Sequence, residues 1–133
     1  CLAEAALKLM CERSLNREAF GRPLAKLGGN GDIIAQARID IEMTRLLCLK
    51  AAWLMDHEGT DAAQPFISMI KVAAPNMALK IIDEAMQMYG GIGLSQDTPL
   101  ATWYGAQRTL RFADGPDSVH RMVIARRELS QYR

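Results

Sequence analysis

The sequence predicts an all-α fold, an antiparallel, up-and-down bundle of four to five helices, on three observations. Apolar residues recur every three or four positions through most of the chain, the spacing of one helical face. The strict apolar-polar alternation of strands is scarce. Aromatics make up only 6% of the 133 residues while Met occurs eight times, and Met and Ala are good helix formers. A chain of this length builds a single core that buries about two thirds of its unfolded surface.

Leu2, Ala6, Leu7 and Met10 mark a first helix, whose pattern dissolves in the connector "SLNREAFGRPLAKLGGNG". Gly21, Pro23, Gly28, Gly29 and Gly31 break the connector, and Pro23 disfavours a helical Arg22. Asp32 is placed to cap a long second helix in which Ile34, Ala37, Ile41, Cys48, Ala52 and Met55 keep helical intervals until Gly59. Arg38 and Glu42 form an i, i+4 pair on its polar face. "TDAAQ" reads as the next turn. Phe66, Ile70, Ala73, Met77, Ile81, Ala85 and Met88 then step along a third long helix. Pro75 inside it deprives the Lys71 carbonyl of its donor, so a kink is expected. "YGGIGLSQDTP" ends that helix, with Asp97 or Thr98 as the next cap and Pro99 in the first helical position. A fourth helix is expected from Pro99 to Phe112, a break at Asp114, Gly115 and Pro116, and a fifth helix to the C-terminus. Met43, Met55, Met77 and Met88 are assigned to the core, and Trp53 and Trp103 to buried or interfacial positions.

The net charge of +1 carries no field that would advertise nucleic acid. Cys1, Cys11 and Cys48 are odd in number and lack Cys-x-x-Cys spacing, which points to reduced thiols and an intracellular compartment. His57 and His120 have no ligand spacing, so no metal site is expected. No apolar run approaches the roughly 18 residues of a membrane span. The chain lacks an initiating Met and begins in mid-pattern at "CLAEAALKLMCERS", so 1–133 is expected to be one domain of a longer protein.

Three constellations fall in connectors, where binding groups concentrate on rigid scaffolds: "NREAFGRPL", "QMYGGIGLSQDTPL" and "RFADGPDSVHR". Taken singly, each has a plain structural reading. The first is a solvated turn with one anchoring Phe20. The glycines of the second form a helix C-cap, and they lack the pattern of a self-contained phosphate loop. In the third, Asp114 caps the last helix. Arg121, Arg126 and Arg127 read as a solvated face.

Together and in this order, the three segments resemble the C-terminal helical domain of the acyl-CoA dehydrogenase family over essentially the whole chain. They are similar to its Arg-x-x-Phe-Gly, Gln-x-x-Gly-Gly-x-Gly and acid-Gly-Thr segments. The resemblance is strongest to the branch that carries Asp-Gly-Pro in place of Glu-Gly-Thr. It implies an FAD-dependent enzyme with an N-terminal helical domain and a middle β-domain upstream, working as a dimer or tetramer and passing electrons to electron-transfer flavoprotein. Asp114 then matches the base that takes the α-proton of an acyl-CoA thioester. Arg17 and Phe20 match residues that contact FAD across a subunit interface, Arg17 at the pyrophosphate. Gln87 and Gly91 match positions on the adenine side of a neighbouring subunit's FAD. Pro116 stands where the family has a Thr that donates to FAD, and Pro cannot donate. The implied location is the cytoplasm of a bacterium, or the mitochondrion or peroxisome of a eukaryote. Two other readings are a helical assembly bundle without chemistry and a flavin oxidase resembling nitroalkane oxidase, which also uses an Asp base.

Overall fold

The computed structural model describes residues 1–133. Its five helices are α1 (Leu2–Asn16), α2 (Asn30–Glu58), α3 (Thr60–Tyr89), α4 (Leu100–Thr109) and α5 (Asp117–Ser130). Between α1 and α2 lie two short strands, β1 (Glu18–Ala19) and β2 (Arg22–Pro23), and a single 3-10 turn, Leu24–Lys26. A second 3-10 segment, Gly90–Leu94, follows α3.

The central helix is α3, which packs against α1, α2, α4 and α5. Alanines line its contacts: Ala3 and Ala6 from α1, Ala37 from α2, and Ala78 and Ala85 from α3 itself are all buried. Their small side chains let the helix axes approach closely, while Met10, Ile81, Ile82 and Leu100 fill the core between them with at most 1% exposure. Full burial of each of those four contributes about 1.5–3 kcal/mol. On the outer edge, Glu4 of α1 ion-pairs with Arg38 at 2.9 Å and with Arg45, and Glu42 holds the same two arginines, Arg38 at 3.1 Å. The expected Arg38–Glu42 pair is thus part of a network that joins α1 to α2.

The reversal between α2 and α3 is made by Gly59 alone. Its φ of 86° and ψ of −177° suit only glycine, and its N–H closes onto the Leu54 carbonyl. "TDAAQ" is therefore not a turn but the start of α3, because one glycine suffices to turn the chain. Asp32 does not cap α2. Gly29 holds the cap position and Asp32 lies in the first turn, where its charge still opposes the helix dipole. Pro99 holds the cap position of α4 rather than its first helical residue, and neither Asp97 nor Thr98 caps it. Ser95 Oγ instead accepts the Asp97 N–H at 3.1 Å. Helix α4 stops at Thr109, short of Phe112, and α3 stays helical through Pro75.

The C-terminal pair lies end to end. Leu110, at the end of α4, meets Lys71 of α3; Asp117 meets Asn76, and His120 meets Ser68. Both α4 and α5 thus run antiparallel to α3, one after the other, and the break between them sits beside the middle of the bundle.

Met77 is half-buried and Met88 is in the core, but Met43 and Met55 are 58% and 38% exposed, and Trp53 is 52% exposed and stacked on His57. The apolar stripe along α2 has two faces: Ala37, Ile41, Ala51 and Leu54 point inward, while Ile39, Met43, Leu46 and Trp53 point out. Periodicity marks an apolar face without saying whether its neighbour lies inside the chain. With TDAAQ helical, the segment Thr60–Leu94 is long and apolar enough by length and composition to cross a membrane. Here it is the core helix, and it carries Lys71, Asn76, Lys80, Asp83 and Glu84.

Candidate functional site

The candidate residues fall into two groups set at different levels along α3, and the length of that helix separates them. The first group gathers where α1 and α3 end together. Arg13 lies over the Tyr89 ring, 5.2 Å from its centroid, and the Tyr89 hydroxyl donates to the Leu9 carbonyl at 3.4 Å. These contacts fasten the C-terminal ends of the two helices side by side.

Just beyond α1, Glu18 pairs with Pro23 and Ala19 with Arg22 in an antiparallel hairpin. Its two turn residues, Phe20 and Gly21, have φ of 52° and 75°, the left-handed pair that a tight two-residue hairpin requires. Gly21 adopts this freely, whereas a bulky aromatic there is a backbone outlier. The Phe20 ring is 96% exposed and anchors nothing in this chain. Arg17 follows α1 directly. Its carbonyl accepts the Leu24 N–H at 2.9 Å, and its exposed guanidinium has no hydrogen-bond or ion-pair partner.

Gln87 is exposed on the last turn of α3, with its amide unpartnered. It lines a groove of about 260 Å³ with Leu24, Asn30 and Glu84, and a second of about 210 Å³ with Asp83, Gly90 and Leu94. The three glycines that follow differ in purpose. Gly90 ends α3 at φ 67°. A Cβ on Gly93 would stand 2.7 Å from the Met86 carbonyl oxygen, so the chain can pass there only as glycine. Gly91 is exposed, with nothing within 4 Å of its Cβ direction, so its backbone face is open to an outside group. Arg17, Phe20, Gln87 and Gly91 thus share one end of the bundle.

The second group is the break between α4 and α5. Asp114 is exposed, with φ 54°. It is not a cap: Pro116 occupies the cap position of α5 and Asp117 its first turn. Four carbonyls of this loop are held inward. Lys71 Nζ donates to the carbonyls of Leu110 and Gly115, the latter at 3.3 Å. The Asp117 N–H donates to the Arg111 carbonyl at 3.0 Å, and the His120 ring meets the Asp114 carbonyl at 3.2 Å. The backbone N–H groups of Asp114 and Gly115 donate to nothing in the chain. The carboxylate that secures the loop is Asp117, only 6% exposed, whose Oδ2 accepts from Arg111 Nε at 2.9 Å and Asn76 Nδ2 at 3.0 Å. Burial pushes its carboxyl up, but the bonds from Asn76 and Arg111 and the charges of Arg111 and Arg121 outweigh this and hold it below the usual range.

The sequence alone does not mark Asp117, or the Lys71 and His120 side chains, as what holds this loop. An acid directly after Pro116 is a helix-start signal, and a Lys and an Asn within "FISMIKVAAPNMALK" ask for polar partners. Lys71 and Gln87 lie sixteen positions apart on α3, about 24 Å at the helical rise. One chain therefore does not bring Asp114 to the other four residues.

The family model described as acyl-CoA dehydrogenase, C-terminal domain, matches residues 1–129. The chain belongs to the acyl-CoA dehydrogenase family. Over 129 residues it is 52% identical to Probable acyl-CoA dehydrogenase FadE2 of Mycobacterium tuberculosis, covering 97% of this chain and 32% of that protein. A solved structure of a candidate acyl-CoA dehydrogenase from Mycobacterium abscessus is 57% identical, with a TM-score of 0.98 over 99% of this chain and 32% of its own. Butyryl-CoA dehydrogenase from Megasphaera elsdenii is 31% identical, with a TM-score of 0.88 over 96% of this chain and 33% of its own. The chain spans about a third of the length of these acyl-CoA dehydrogenase relatives, and its all-α bundle is that of the family's C-terminal domain.

Proposed function

We propose that residues 1–133 are the C-terminal helical domain of a longer FAD-dependent acyl-CoA dehydrogenase of the Asp-Gly-Pro branch. Asp114 is its base, and Arg17, Phe20, Gln87 and Gly91 form one side of an FAD site completed by a neighbouring subunit. The observation that carries this reading is the loop at Asp114, where an exposed acid in a left-handed conformation stands next to two backbone donors without acceptors.

The α-proton of a thioester is a weak acid, so its removal needs both an acceptor and a polarised carbonyl. The Asp114 carboxylate takes the proton, and its own N–H donates to the thioester oxygen, where negative charge grows as the proton leaves. Asp is one methylene shorter than the usual Glu, so the substrate α-carbon lies closer to this backbone. At the other end, the residues fit a dinucleotide. An unpaired Arg17 fork suits a pyrophosphate, a bare Phe20 ring offers a stacking face, and Gln87 offers an amide beside the open backbone of Gly91. Bound FAD supplies the acceptor for the β-hydride. Pro116 contributes neither hydroxyl nor N–H to it. The roughly 24 Å between the two groups along α3 supports sites shared between subunits of a dimer or tetramer, and the exposed apolar face of α2 supports association. Electron-transfer flavoprotein is the proposed electron acceptor. Three free thiols support an intracellular location.

The test is anaerobic stopped-flow reduction of the full-length flavoprotein by a panel of acyl-CoAs, with a nitroalkane as the oxidase control. Asp114→Asn should slow reduction about a hundredfold or more at unchanged flavin content, and Asp114→Glu should keep partial activity with a shifted acyl preference. Reduction of Asp114→Asn at the wild-type rate refutes the assignment.

A further inference from the structure

We propose that His120 is a positioning residue for the base: its imidazole locks the peptide bond after Asp114, and so fixes where the Asp114 carboxylate and the Gly115 N–H point. The inference rests on Asp114 being the base, and goes beyond it in naming what holds that base in place.

Left-handed backbone is strained for a non-glycine residue, less for Asp and Asn than for most, and the surrounding bonds decide whether it is held. Asp114 has few such bonds. Its carboxylate and its N–H have no partner in the chain, and its one hydrogen bond is the 3.2 Å contact between its carbonyl and His120 Nε2. A carbonyl can only accept, which assigns the ring proton to Nε2. The other nitrogen, Nδ1, faces the hydroxyl of Ser68 at 3.5 Å, a residue of α3 that is 3% exposed. The ring therefore ties the loop to the central helix through a core serine.

The glycine that follows fits the same ring. A Cβ on Gly115 would stand 3.2 Å from Nε2, and the φ of 96° there is strained for any other residue. The Asp114–Gly115 peptide is trans and planar. With its carbonyl drawn to His120, its N–H must point the opposite way, away from α5. The bond also polarises that peptide, strengthening the outward donor. Rotating this one plane would displace the carboxylate and redirect the Gly115 N–H together. A displacement of about 1 Å at a reacting group can cost a hundredfold in rate.

The experiment compares full-length holoenzyme carrying His120→Ala, His120→Gln, Ser68→Ala or Asp114→Asn with wild type. The Gln amide nitrogen can take the place of Nε2, whereas Ala leaves the carbonyl without a donor. Stopped-flow reduction by the best acyl-CoA gives a limiting rate and an apparent substrate Kd, and hydrogen-deuterium exchange follows the segment 111–121. His120→Ala should lower the limiting rate about tenfold to a hundredfold at unchanged Kd and flavin content, with faster exchange in that segment. His120→Gln should recover the rate to within about fivefold and restore slow exchange, since it keeps the donor. Ser68→Ala should lie between them, and it decides the matter if His120→Ala does not fold. A wild-type rate in His120→Ala, or in Ser68→Ala where the former does not fold, overturns the proposal while Asp114→Asn remains slow. His120→Gln as slow as His120→Ala also overturns it. A wild-type rate in Asp114→Asn removes the base itself, and this inference with it.

Discussion

Replacing Asp117 with Ala should unfasten the joint between α4 and α5, and the cost can be worked from its contacts. The change removes one charge-assisted bond to Arg111 and one to Asn76. Bonds to a charged group contribute about 1.5–3 kcal/mol each when both partners are buried. The Arg111 side chain is 35% exposed and rehydrates once freed, so its bond belongs at or below the low end of that range. The acid in the first turn of α5 adds about 0.3–1 kcal/mol through the helix dipole. The expected loss is about 2–4 kcal/mol, a large part of the roughly 5–15 kcal/mol that holds a domain together, and a fall in Tm of about 8–15 °C. Asp117→Asn keeps the shape and one acceptor, and should cost about half as much. Circular dichroism at 222 nm through urea and thermal unfolding of the purified protein reads both variants against wild type. Asp114→Asn is the internal control: its side chain is exposed and unpartnered, and Asn tolerates left-handed backbone, so its Tm should not move. A loss below about 0.5 kcal/mol for Asp117→Ala, the range of ordinary surface changes, refutes the reasoning. Equal destabilisation by Asp114→Asn does so as well.

Phe20→Ala should leave stability within about 0.5 kcal/mol, since the ring is 96% exposed, while lowering flavin retention of the full-length protein on gel filtration; unchanged retention removes Phe20 from the cofactor site. Gly93→Ala, whose Cβ would meet backbone at 2.7 Å, should cost about 1–3 kcal/mol in the same unfolding assay, whereas Gly91→Ala should cost far less there. Acid should destabilise the fold through three carboxylates. Glu4 is lowered chiefly by its bond to Arg38, while in Asp40 and Asp117 burial raises the pKa but is outweighed, by Lys80 and Gln36 in the one and by Asn76 and Arg111 in the other. Because all three lie lower in the folded state than in the unfolded chain, where such groups titrate near pH 4, their stabilisation is present above about pH 4.5 and is lost as pH falls through the folded values. Thermal melts from pH 7 to pH 3 check this, and a flat Tm between pH 5 and pH 3 would contradict it.

Helix content was legible because periodicity is local. Leu7 and Met10, Ile81 and Ala85 announce their buried face within two turns of chain. What was not legible depends on partners distant in sequence. Gly59 reads equally well as the end of a helix or the whole of a turn, and only the packing of α2 on α3 decides. Met43 and Trp53 repeat on a helical face that no element of this chain covers. Among the candidate site residues, Arg17, Phe20, Gln87 and Gly91 are marked by their segments, and the fold adds that they share one end of the bundle. Lys71 and Asn76 could not be assigned, because their partners are 39 to 44 positions away and meet them only once α4 and α5 lie end to end along α3.

Asp114 in the break and Asp117 at the start of α5 stand three residues apart and have opposite fates, and hydrogen-bond accounting explains why. A loop that merely reverses or joins helices satisfies its backbone groups inside the chain or leaves both kinds to water. Here four carbonyls are taken: Leu110, Arg111, Asp114 and Gly115 give theirs to Lys71, Asp117 or His120, while those of Phe112 and Ala113 accept nothing within the chain. Among the donors, the N–H groups of Leu110, Arg111, Phe112 and Ala113 close onto the last turn of α4, and only those of Asp114 and Gly115 remain free, beside a free carboxylate. Asp117 is the acid turned inward to make that arrangement rigid, and Asp114 is the acid left over, aimed outward with unpaired donors around it. A lone acceptor of protons flanked by donors of hydrogen bonds matches a group that loses a proton while gaining negative charge on a neighbouring oxygen, as a thioester does at its α-carbon. The break in the helices therefore lies beside the middle of α3 because that is where Lys71, Asn76 and Ser68 can reach it. A loop at the tip of the bundle would have no core helix to hold its carbonyls, and its acid would be free to turn away.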